Sequence, residues 1–285
     1  MKLLTLNTHS LQEENYAQKL DWFIEGILKE QPDIIALQEV NQTADAELAD
    51  AALWEGQYLL PAQVPLRQDN HAAQVALRLR QAGIDCFWAW LPIKLGYGKY
   101  DEGIAILSLG RKITAAEAFP ISQVNDYHNW RTRAALGVQV EGMEDWFYTV
   151  HMGWWDDTEE PFLNQWNTLS RKIAEKCENG FVWLMGDFNA PDIVSGQSFE
   201  HILTCGWVDT YQVALEKDRS VTVPGVIDGW RDKSQNMRKP EMRLDYIFCN
   251  RRTCIRSSRV LFNGENGPVV SDHFGVLITT KEKFS

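Results

Sequence analysis

Carboxylate, imidazole and amide side chains stand directly beside short apolar runs at several places in the sequence. The clearest case is Asp187 and Asn189, which follow the apolar run Phe181–Met185. The same arrangement recurs at Asn7, Glu39, His151, Asp245, Asp272 and His273. Short apolar runs of this kind are typical of buried strands. We expect polar groups at the ends of several such strands to converge on one edge of a sheet and form a shared cleft.

The chemistry of such a cleft follows from its charge. Two bare carboxylates at about 4 Å repel each other by roughly 4 kcal/mol at an effective dielectric constant of 20. A cluster of four, drawn from Glu39, Asp187, Asp245 and Asp272, therefore requires a cation. With oxygen ligands and no thiolate in the pattern, Mg²⁺ (or Mn²⁺) is the predicted cofactor. Each residue alone also suits a turn, a cap or a buried histidine, but the recurrence favours a site.

The elements that must position these residues are indicated by apolar periodicity. Helical spacing follows Asn15 and recurs over 70–81 and 161–178. Strands are predicted at 2–8, 33–38, 86–91, 103–108, 134–140, 146–150, 181–185, 244–249, 259–262 and 274–279. Many strands with few helices predict an α+β fold, a four-layered α/β/β/α sandwich of two packed, mostly antiparallel sheets with flanking helices. Without a linker or repeat, residues 1–285 are predicted to form a single domain.

Five short motifs in the chain resemble, in order, those of the endonuclease/exonuclease/phosphatase (DNase I-like) superfamily. They are Thr5-Leu6-Asn7, Leu37-Gln38-Glu39, Gly186-Asp187-Phe188-Asn189, Leu244-Asp245-Tyr246-Ile247 and Ser271-Asp272-His273. Each motif is weak alone, whereas five in the right order are specific. The resemblance runs from Leu3 to about Val276 and implies metal-dependent hydrolysis of phosphate esters.

The resemblance also implies a role for each matching residue. Asn7, Glu39 and Asp272 are expected to hold the metal, with Glu39 as its principal ligand. Asp187 is expected to align or deprotonate the attacking water, and Asn189 to steady the water and a phosphate oxygen.

The remaining catalytic expectations concern two histidines and an arginine. Asp245 is expected to orient His273 against the phosphoryl group, and Glu102 to be the carboxylate partner of His151. Either Arg131 or Arg133 resembles the phosphate-facing arginine of the family, with a slight preference for Arg131.

The substrate is predicted from charge and aromatic content. A net charge of -11 disfavours nucleic acid, whose binding depends on a basic surface. Twelve tryptophans favour a carbohydrate, because an aromatic face packs on the C–H face of a sugar. Trp88, Trp90 and Trp166 are expected in the core instead. The predicted substrate-binding residues are Arg131, Trp154, Trp155 and, in the long polar segment 218–243, Trp230 and Arg231.

A finer resemblance narrows the expected substrate. The stretches LNTHSLQEENY, LPIKLGYGKYDEG and HMGWWDD are similar to the maltose 6'-phosphate phosphatases of lactic-acid bacteria and enterococci. That similarity implies removal of the 6'-phosphate to give maltose and phosphate. The alternatives are a nuclease or other phosphodiesterase of the same superfamily, whose stacking aromatics would hold single strands, and a binding module that keeps the fold without the reaction.

The cellular setting is predicted from the N-terminus and the cysteines. No apolar segment of the length of a signal peptide or membrane span follows Met1. The five cysteines lack metal-ligand spacing and fit reduced, buried thiols. We therefore expect a cytoplasmic protein with a small-molecule sugar phosphate as its partner and no membrane contact; the sequence leaves the oligomeric state open.

Overall fold

Strands dominate the part of the chain that the computed structural model describes, which is residues 1–194, 196, 198–225 and 241–281. The strands are β1 (Lys2–Asn7), β2 (Ile34–Thr43), β3 (Cys86–Gly96), β4 (Tyr100–Leu109), β5 (Ile113–Pro120), β6 (Ala134–Val140), β7 (Trp146–His151), β8 (Val182–Asp187), β9 (Val208–Asp209), β10 (Glu216–Lys217), β11 (Asp245–Cys249), β12 (Ile255–Leu261) and β13 (Gly275–Thr280). The α-helices are α1 (Tyr16–Glu30), α2 (Ala51–Trp54), α3 (His71–Gln81), α4 (Phe162–Asn179), α5 (Ser198–Thr204) and α6 (Thr210–Val213).

These strands form two sheets. The first has the order β10-β12-β13-β1-β2-β4-β3, and the second has the order β5-β6-β7-β8-β11-β9. Neighbouring strands are antiparallel except for the pairs β1–β2, β7–β8 and β10–β12. In each sheet a parallel pair near the centre carries polar residues at its carboxyl ends, so both sheets deliver polar side chains to the same end of the molecule.

Alternating side chains build three apolar layers. In β1, Leu3 packs between the sheets while Leu4 packs outward against the helices, as the two-residue period of a strand requires. In β8, Met185 likewise faces the other sheet and Leu184 faces α4 and α5. The predicted four-layered α/β/β/α sandwich is confirmed. Burying each large apolar side chain contributes about 1.5–3 kcal/mol.

The predicted core tryptophans occupy these layers. Trp88, Trp90 and Trp166 are all buried. The cysteines of the described residues are free thiols. Across the described part of the chain, the helices are too short or too polar to cross a bilayer.

Several predicted boundaries differ from the structure. Asn70 accepts a hydrogen bond from the backbone N–H of Ala73 and caps α3 as its position suggests, but Asn15 precedes α1 without a side-chain capping bond. The strands β2, β3 and β4 extend beyond their predicted ends, and β5 was not predicted. β5 lies at a sheet edge, has no fully buried residue and is rich in alanine, so its strand signal in the sequence is weak.

The long polar segment 218–243 is described only at its two ends. There Val223 and Met242 form an antiparallel bridge. The predicted substrate-binding residues Trp230 and Arg231 lie outside the described residues.

Candidate active site

Strand register brings three of the predicted catalytic residues side by side. Asp187, the last residue of β8, is the register partner of His151 on β7 and of Asp245 on β11. Their side chains therefore meet at one end of the second sheet. The strand does not stop at residue 185, as predicted, but continues through Gly186 to Asp187.

Gly186 makes this register possible. Its φ is +146°, and a Cβ at this position would lie 2.0 Å from the carbonyl oxygen of Val150 on β7. Only glycine permits such a close approach of two strands with that backbone conformation. The glycine therefore acts through strand packing beside Asp187 rather than through a turn.

Asp187 is the centre of the cluster. Its Oδ2 accepts a hydrogen bond from Asn7 Nδ2 (3.1 Å) and lies 3.6 Å from His151 Nε2 and 3.8 Å from His273 Nε2. Burial raises the pKa of Asp187 to about 7; the neighbouring His273 opposes this rise, and Asp245 adds to it by less than His273 removes. A carboxyl group that titrates near neutrality is suited to accept a proton from water.

Asp245 and His273 form a buried pair. Asp245 Oδ2 lies 2.8 Å from His273 Nδ1, which fixes the ring and leaves Nε2 toward Asp187. Burial alone would lower the pKa of His273, but the two carboxylates raise it well above its usual value. The ring is therefore a cation at neutral pH, and its Nε2 can donate a hydrogen bond to an anion in the cavity.

His151 has the opposite electrostatic character. Burial lowers its pKa well below the usual value, and the nearby cations Arg133 and Lys94 lower it further. The ring is neutral at pH 7 and can exchange a proton with substrate or water. The carboxylate near the His151 ring is that of Asp187, whose Oδ2 lies 3.6 Å from Nε2, and not that of Glu102.

Glu102 has a different partner from the expected one. It pairs with Lys94, with 3.0 Å between Oε1 and Nζ, because the two residues face each other in the register of β3 and β4. His151 belongs to the other sheet. Glu102 nevertheless lines the same cavity.

The predicted metal ligands lie beside this cluster. Glu39 sits on a bulge of β2 with a φ of +50°, and its Oε1 accepts a hydrogen bond from Asn7 Nδ2 (2.9 Å). Burial raises the pKa of Glu39, and repulsion from Glu102 and Asp272 raises it further. The carboxylates of Glu39, Glu102 and Asp272 thus repel one another, and a cation between them would relieve this repulsion. An oxygen-rich set of Glu39, Asp272 and the Asn7 amide fits a hard divalent cation.

Among the described residues, two groups of three titratable side chains have metal-compatible spacing, and neither of them includes Glu39. One is Asp187, Asp245 and His273, all buried; the other is His9, Glu13 and Asp272, all half-buried. A divalent ion at the cleft would neutralise carboxylates and polarise a phosphoryl oxygen.

His9 is a cleft residue that the motifs did not indicate. Its Nδ1 lies 2.7 Å from Glu13 Oε1 and 4.0 Å from Asp272 Oδ1. Burial would lower its pKa, but Glu13, Asp272 and Glu39 raise it to about 9. The four-residue spacing of His9 and Glu13 was the available sequence signal.

The cleft is a cavity of about 270 Å³. Its lining includes eight of the predicted site residues, namely Glu39, Glu102, His151, Trp154, Asp187, Asn189, Asp272 and His273. Asn189 has a φ of +47° and donates from its backbone N–H to Asp187 Oδ1 (2.8 Å) and from Nδ2 to the Met152 carbonyl (3.0 Å). Asn7 and Asp245 lie behind the lining and orient the residues in front of them.

Of the two candidate arginines, the structure places Arg133 in the cavity wall. Arg131 instead pairs with Asp157 (Nε–Oδ2, 2.8 Å) and with Glu159 (NH2–Oε1, 3.0 Å). The preference for Arg131 is therefore corrected. Arg133 is 4% exposed and is held by the carbonyls of Trp130 and Thr132.

Aromatic side chains surround the mouth of the cavity. Tyr97, Trp130 and Trp154 contribute to its lining, and Tyr97 and Trp130 are 63% and 42% exposed. The rings of Trp130 and Trp154 lie 5.1 Å apart. Trp155 is not part of the lining; it packs beside Val223, Met242 and Leu244.

The two sheets and the carboxylate–histidine cleft at their strand ends define a hydrolase with the DNase I-like fold. A protein-family profile described as Endonuclease/Exonuclease/phosphatase family matches residues 4–273. The chain therefore belongs to this family, which includes phosphatases and nucleases and whose enzymes generally use divalent metal ions.

Solved structures agree with this assignment. An endonuclease/exonuclease/phosphatase family protein from Leptotrichia buccalis C-1013-b is 30% identical, with 99% of each chain covered and a TM-score of 0.82. A mannosyl-6-phosphatase of Bacteroides thetaiotaomicron VPI-5482 is 16% identical, with 99% of each chain covered and a TM-score of 0.66. TDP2 of D. rerio, complexed with single-strand DNA product, is 17% identical over 99% of this chain and 98% of that one, with a TM-score of 0.61. At such identities the last two show the fold alone. No curated protein sequence matches the chain significantly.

Proposed function

We propose that the protein is a cytoplasmic phosphatase that removes the phosphate group of a sugar phosphate, with maltose 6'-phosphate as its substrate and Mg²⁺ (or Mn²⁺) as its cofactor. The observation that carries the proposal is the ring of aromatic side chains at the mouth of the cavity, formed by Tyr97, Trp130 and Trp154. Aromatic faces that line the same cavity as the carboxylates fit a sugar whose phosphate enters the cleft. The solved mannosyl-6-phosphatase with this fold is in keeping with that substrate class.

The side chains of the cleft divide the work of hydrolysis. Asp187 orients the attacking water and accepts its proton, while protonated His273 donates a hydrogen bond to a phosphoryl oxygen. Arg133 contributes a second fixed positive charge, and neutral His151 lies within reach of the same water or of the leaving oxygen. When bound, a divalent cation would stabilise the charge on the phosphoryl group. Positioning and charge stabilisation account for most of phosphoryl-transfer catalysis.

Acidic charge distinguishes this proposal from the nuclease alternative. A net charge of -11 opposes long-range attraction of a polyanion. We therefore expect phosphate release from maltose 6'-phosphate in the presence of Mg²⁺, and loss of that activity with a chelator. Cleavage of plasmid or single-stranded DNA at a comparable kcat/KM would contradict the proposal.

The contribution of the aromatic side chains at the cavity mouth is tested with a matched pair of tryptophans. Trp130 and Trp54 are 42% and 41% exposed, but only Trp130 lines the cavity. We expect Trp130→Ala to lower kcat/KM for maltose 6'-phosphate about tenfold, from the loss of roughly 1.4 kcal/mol of stacking. The loss on ethyl phosphate, which has no sugar, should be smaller. Trp54→Ala serves as the control and should match the wild type on both esters.

A further inference from the structure

Two buried cations converge on one backbone carbonyl in the wall of the cavity. Trp130 O accepts hydrogen bonds from Lys94 Nζ (3.2 Å) and from Arg133 NH1 (2.8 Å). Lys94 is 7% exposed and Arg133 is 4% exposed. Lys94 belongs to β3, and Arg133 lies directly before β6, so the two sheets bring these charges together.

The charges in this wall do not balance. Lys94 pairs with Glu102 at 3.0 Å. Among the described residues, the Arg133 guanidinium has hydrogen bonds to backbone carbonyls but no carboxylate in ion-pair contact, and its buried Nε has no hydrogen-bond partner. Burying a charge without a counterion is costly. On this side of the cavity, Lys94, Glu102 and Arg133 together therefore carry one more positive charge than negative, which suits an anion.

The same cavity also contains Asp187 and His273, so an anion at this wall lies in the reaction site. A phosphate monoester carries close to two negative charges at pH 7, because its second pKa is near 6. A diester carries one, and its remaining oxygen bears a second organic substituent. A buried cation on one side of the phosphate group therefore favours monoesters over diesters in two ways. It attracts the larger charge of the monoester, and it leaves no room for the second substituent of a diester.

We propose that Lys94, acting with Arg133, selects phosphate monoesters over diesters by binding the phosphoryl oxygen that carries the second substituent in a diester. The proposal rests on the phosphatase function proposed above and adds a specificity-determining residue to it. A purely structural Lys94 would only neutralise Glu102, and the experiment separates these two roles.

The experiment measures kcat/KM of the Mg²⁺-loaded enzyme for two esters with the same leaving group, p-nitrophenyl phosphate and bis(p-nitrophenyl) phosphate. The variants are Lys94→Met, Lys94→Arg and the double variant Lys94→Met/Glu102→Gln. The double variant leaves no unpaired carboxylate behind. Lys99→Met is the matched control, because Lys99 is a lysine at the tip of the same β3–β4 hairpin, next to Tyr100.

Loss of one charge-assisted hydrogen bond is expected to lower the monoester-to-diester ratio of kcat/KM by about 10- to 100-fold in Lys94→Met. The double variant should show a similar fall, while Lys94→Arg recovers much of the ratio and Lys99→Met keeps the wild-type ratio. An unchanged ratio in Lys94→Met, or a wild-type ratio in the double variant, would overturn the role of Lys94. If the wild type itself hydrolyses only the diester, the phosphatase function fails instead.

Discussion

At the scale of single residues, the site depends on which of two neighbouring arginines is buried. Arg131 and Arg133 lie between β5 and β6, outside any strand, so strand alternation could not assign them from the sequence. The structure separates them through their partners: Arg131 has two carboxylates, and Arg133 has backbone carbonyls. The motif residues Asp187 and His273 were predictable because their neighbours are distinctive, whereas Lys94 lies in a largely apolar strand and outside the five ordered motifs.

The two arginines provide a matched prediction. We expect Arg133→Met to lower kcat/KM for a sugar phosphate about 10- to 100-fold, because a charge-assisted hydrogen bond contributes roughly 1.5–3 kcal/mol. Arg131→Met removes ion pairs near the surface and should change kcat/KM less than about threefold. Steady-state kinetics on both variants checks this, and a larger loss in Arg131→Met would return the phosphate contact to Arg131.

At the scale of elements, strand register and backbone conformation decide how the motifs meet. The sequence indicated that strands end near Asp187, His151 and Asp245, but not that the three residues are register partners. The apolar pattern indicates which face of a strand is buried, but no hairpin turn joins β7 to β8 or β8 to β11, so the sequence did not show which residues pair. The predicted strand 181–185 therefore stopped short of Gly186 and Asp187, which belong to β8.

Gly186→Ala tests the close contact of β7 and β8. An alanine there would combine a φ of +146° with a 2.0 Å contact to the Val150 carbonyl. We expect a loss of at least about 3 kcal/mol in the free energy of unfolding, measured with urea. The control is Gly83→Ala, where φ is +84° and no atom lies within 4 Å of the added Cβ. It should cost only about 1–2 kcal/mol, and equal losses would show that backbone conformation alone matters.

Helix α3 carries a pH-dependent contribution to stability at its first residue. His71 is buried against Phe23 and lies 3.0 Å from the Tyr16 hydroxyl. Burial, and to a lesser degree Arg78, lowers its pKa from 6.5 to about 3. Below pH 6.5 the unfolded chain takes up a proton that the folded chain does not, so this contribution is present above pH 6.5 and is lost as the pH falls toward about 3.

The measurement compares urea unfolding at pH 7 and pH 5. Each pH unit below 6.5 costs about 1.4 kcal/mol through His71. The wild type should therefore lose about 2 kcal/mol more than His71→Phe between these two conditions. His128→Gln, at an exposed histidine, should lose as much as the wild type. Equal losses in wild type and His71→Phe would show that His71 is already charged in the folded protein.

At the scale of the whole molecule, the site is assembled from both sheets. Asn7 at the end of β1 in the first sheet donates to Glu39 of its own sheet and to Asp187 of the second. The sandwich was predictable because the strands are apolar and numerous. The hydrogen bonds by which the Asn7 amide bridges the two sheets were not predictable, because they depend on how the sheets are placed against each other.

Binding of the metal is expected to raise the free energy of unfolding of the whole chain. Burial of Glu39, together with repulsion from Glu102 and Asp272, opposes folding at pH 7, because the raised pKa of Glu39 means that the folded state resists its ionisation. With a chelator, Glu39→Gln should be at least as stable as the wild type. At 100 times its Kd, Mg²⁺ should stabilise the wild type by about 2.7 kcal/mol, which raises Tm by roughly 5–10 °C. Thermal unfolding checks this.

The same experiment compares the response of Glu39→Gln to Mg²⁺ with that of a control variant. Glu39→Gln should show little response to Mg²⁺, while Glu25→Gln, at an exposed glutamate of α1, should respond like the wild type. A full response of Glu39→Gln to Mg²⁺ would show that the ion binds to another cluster of the cleft.

The bridge made by Asn7 also bears on how activity arises during refolding. Asp187 and Glu39 belong to different sheets and are joined through one amide, so neither sheet alone contains both the proton acceptor and the carboxylate expected to hold the metal. A refolding intermediate with one finished sheet is therefore inert. We therefore expect turnover during refolding to report the docking of the two sheets, and to recover no earlier than the circular-dichroism signal of the strands.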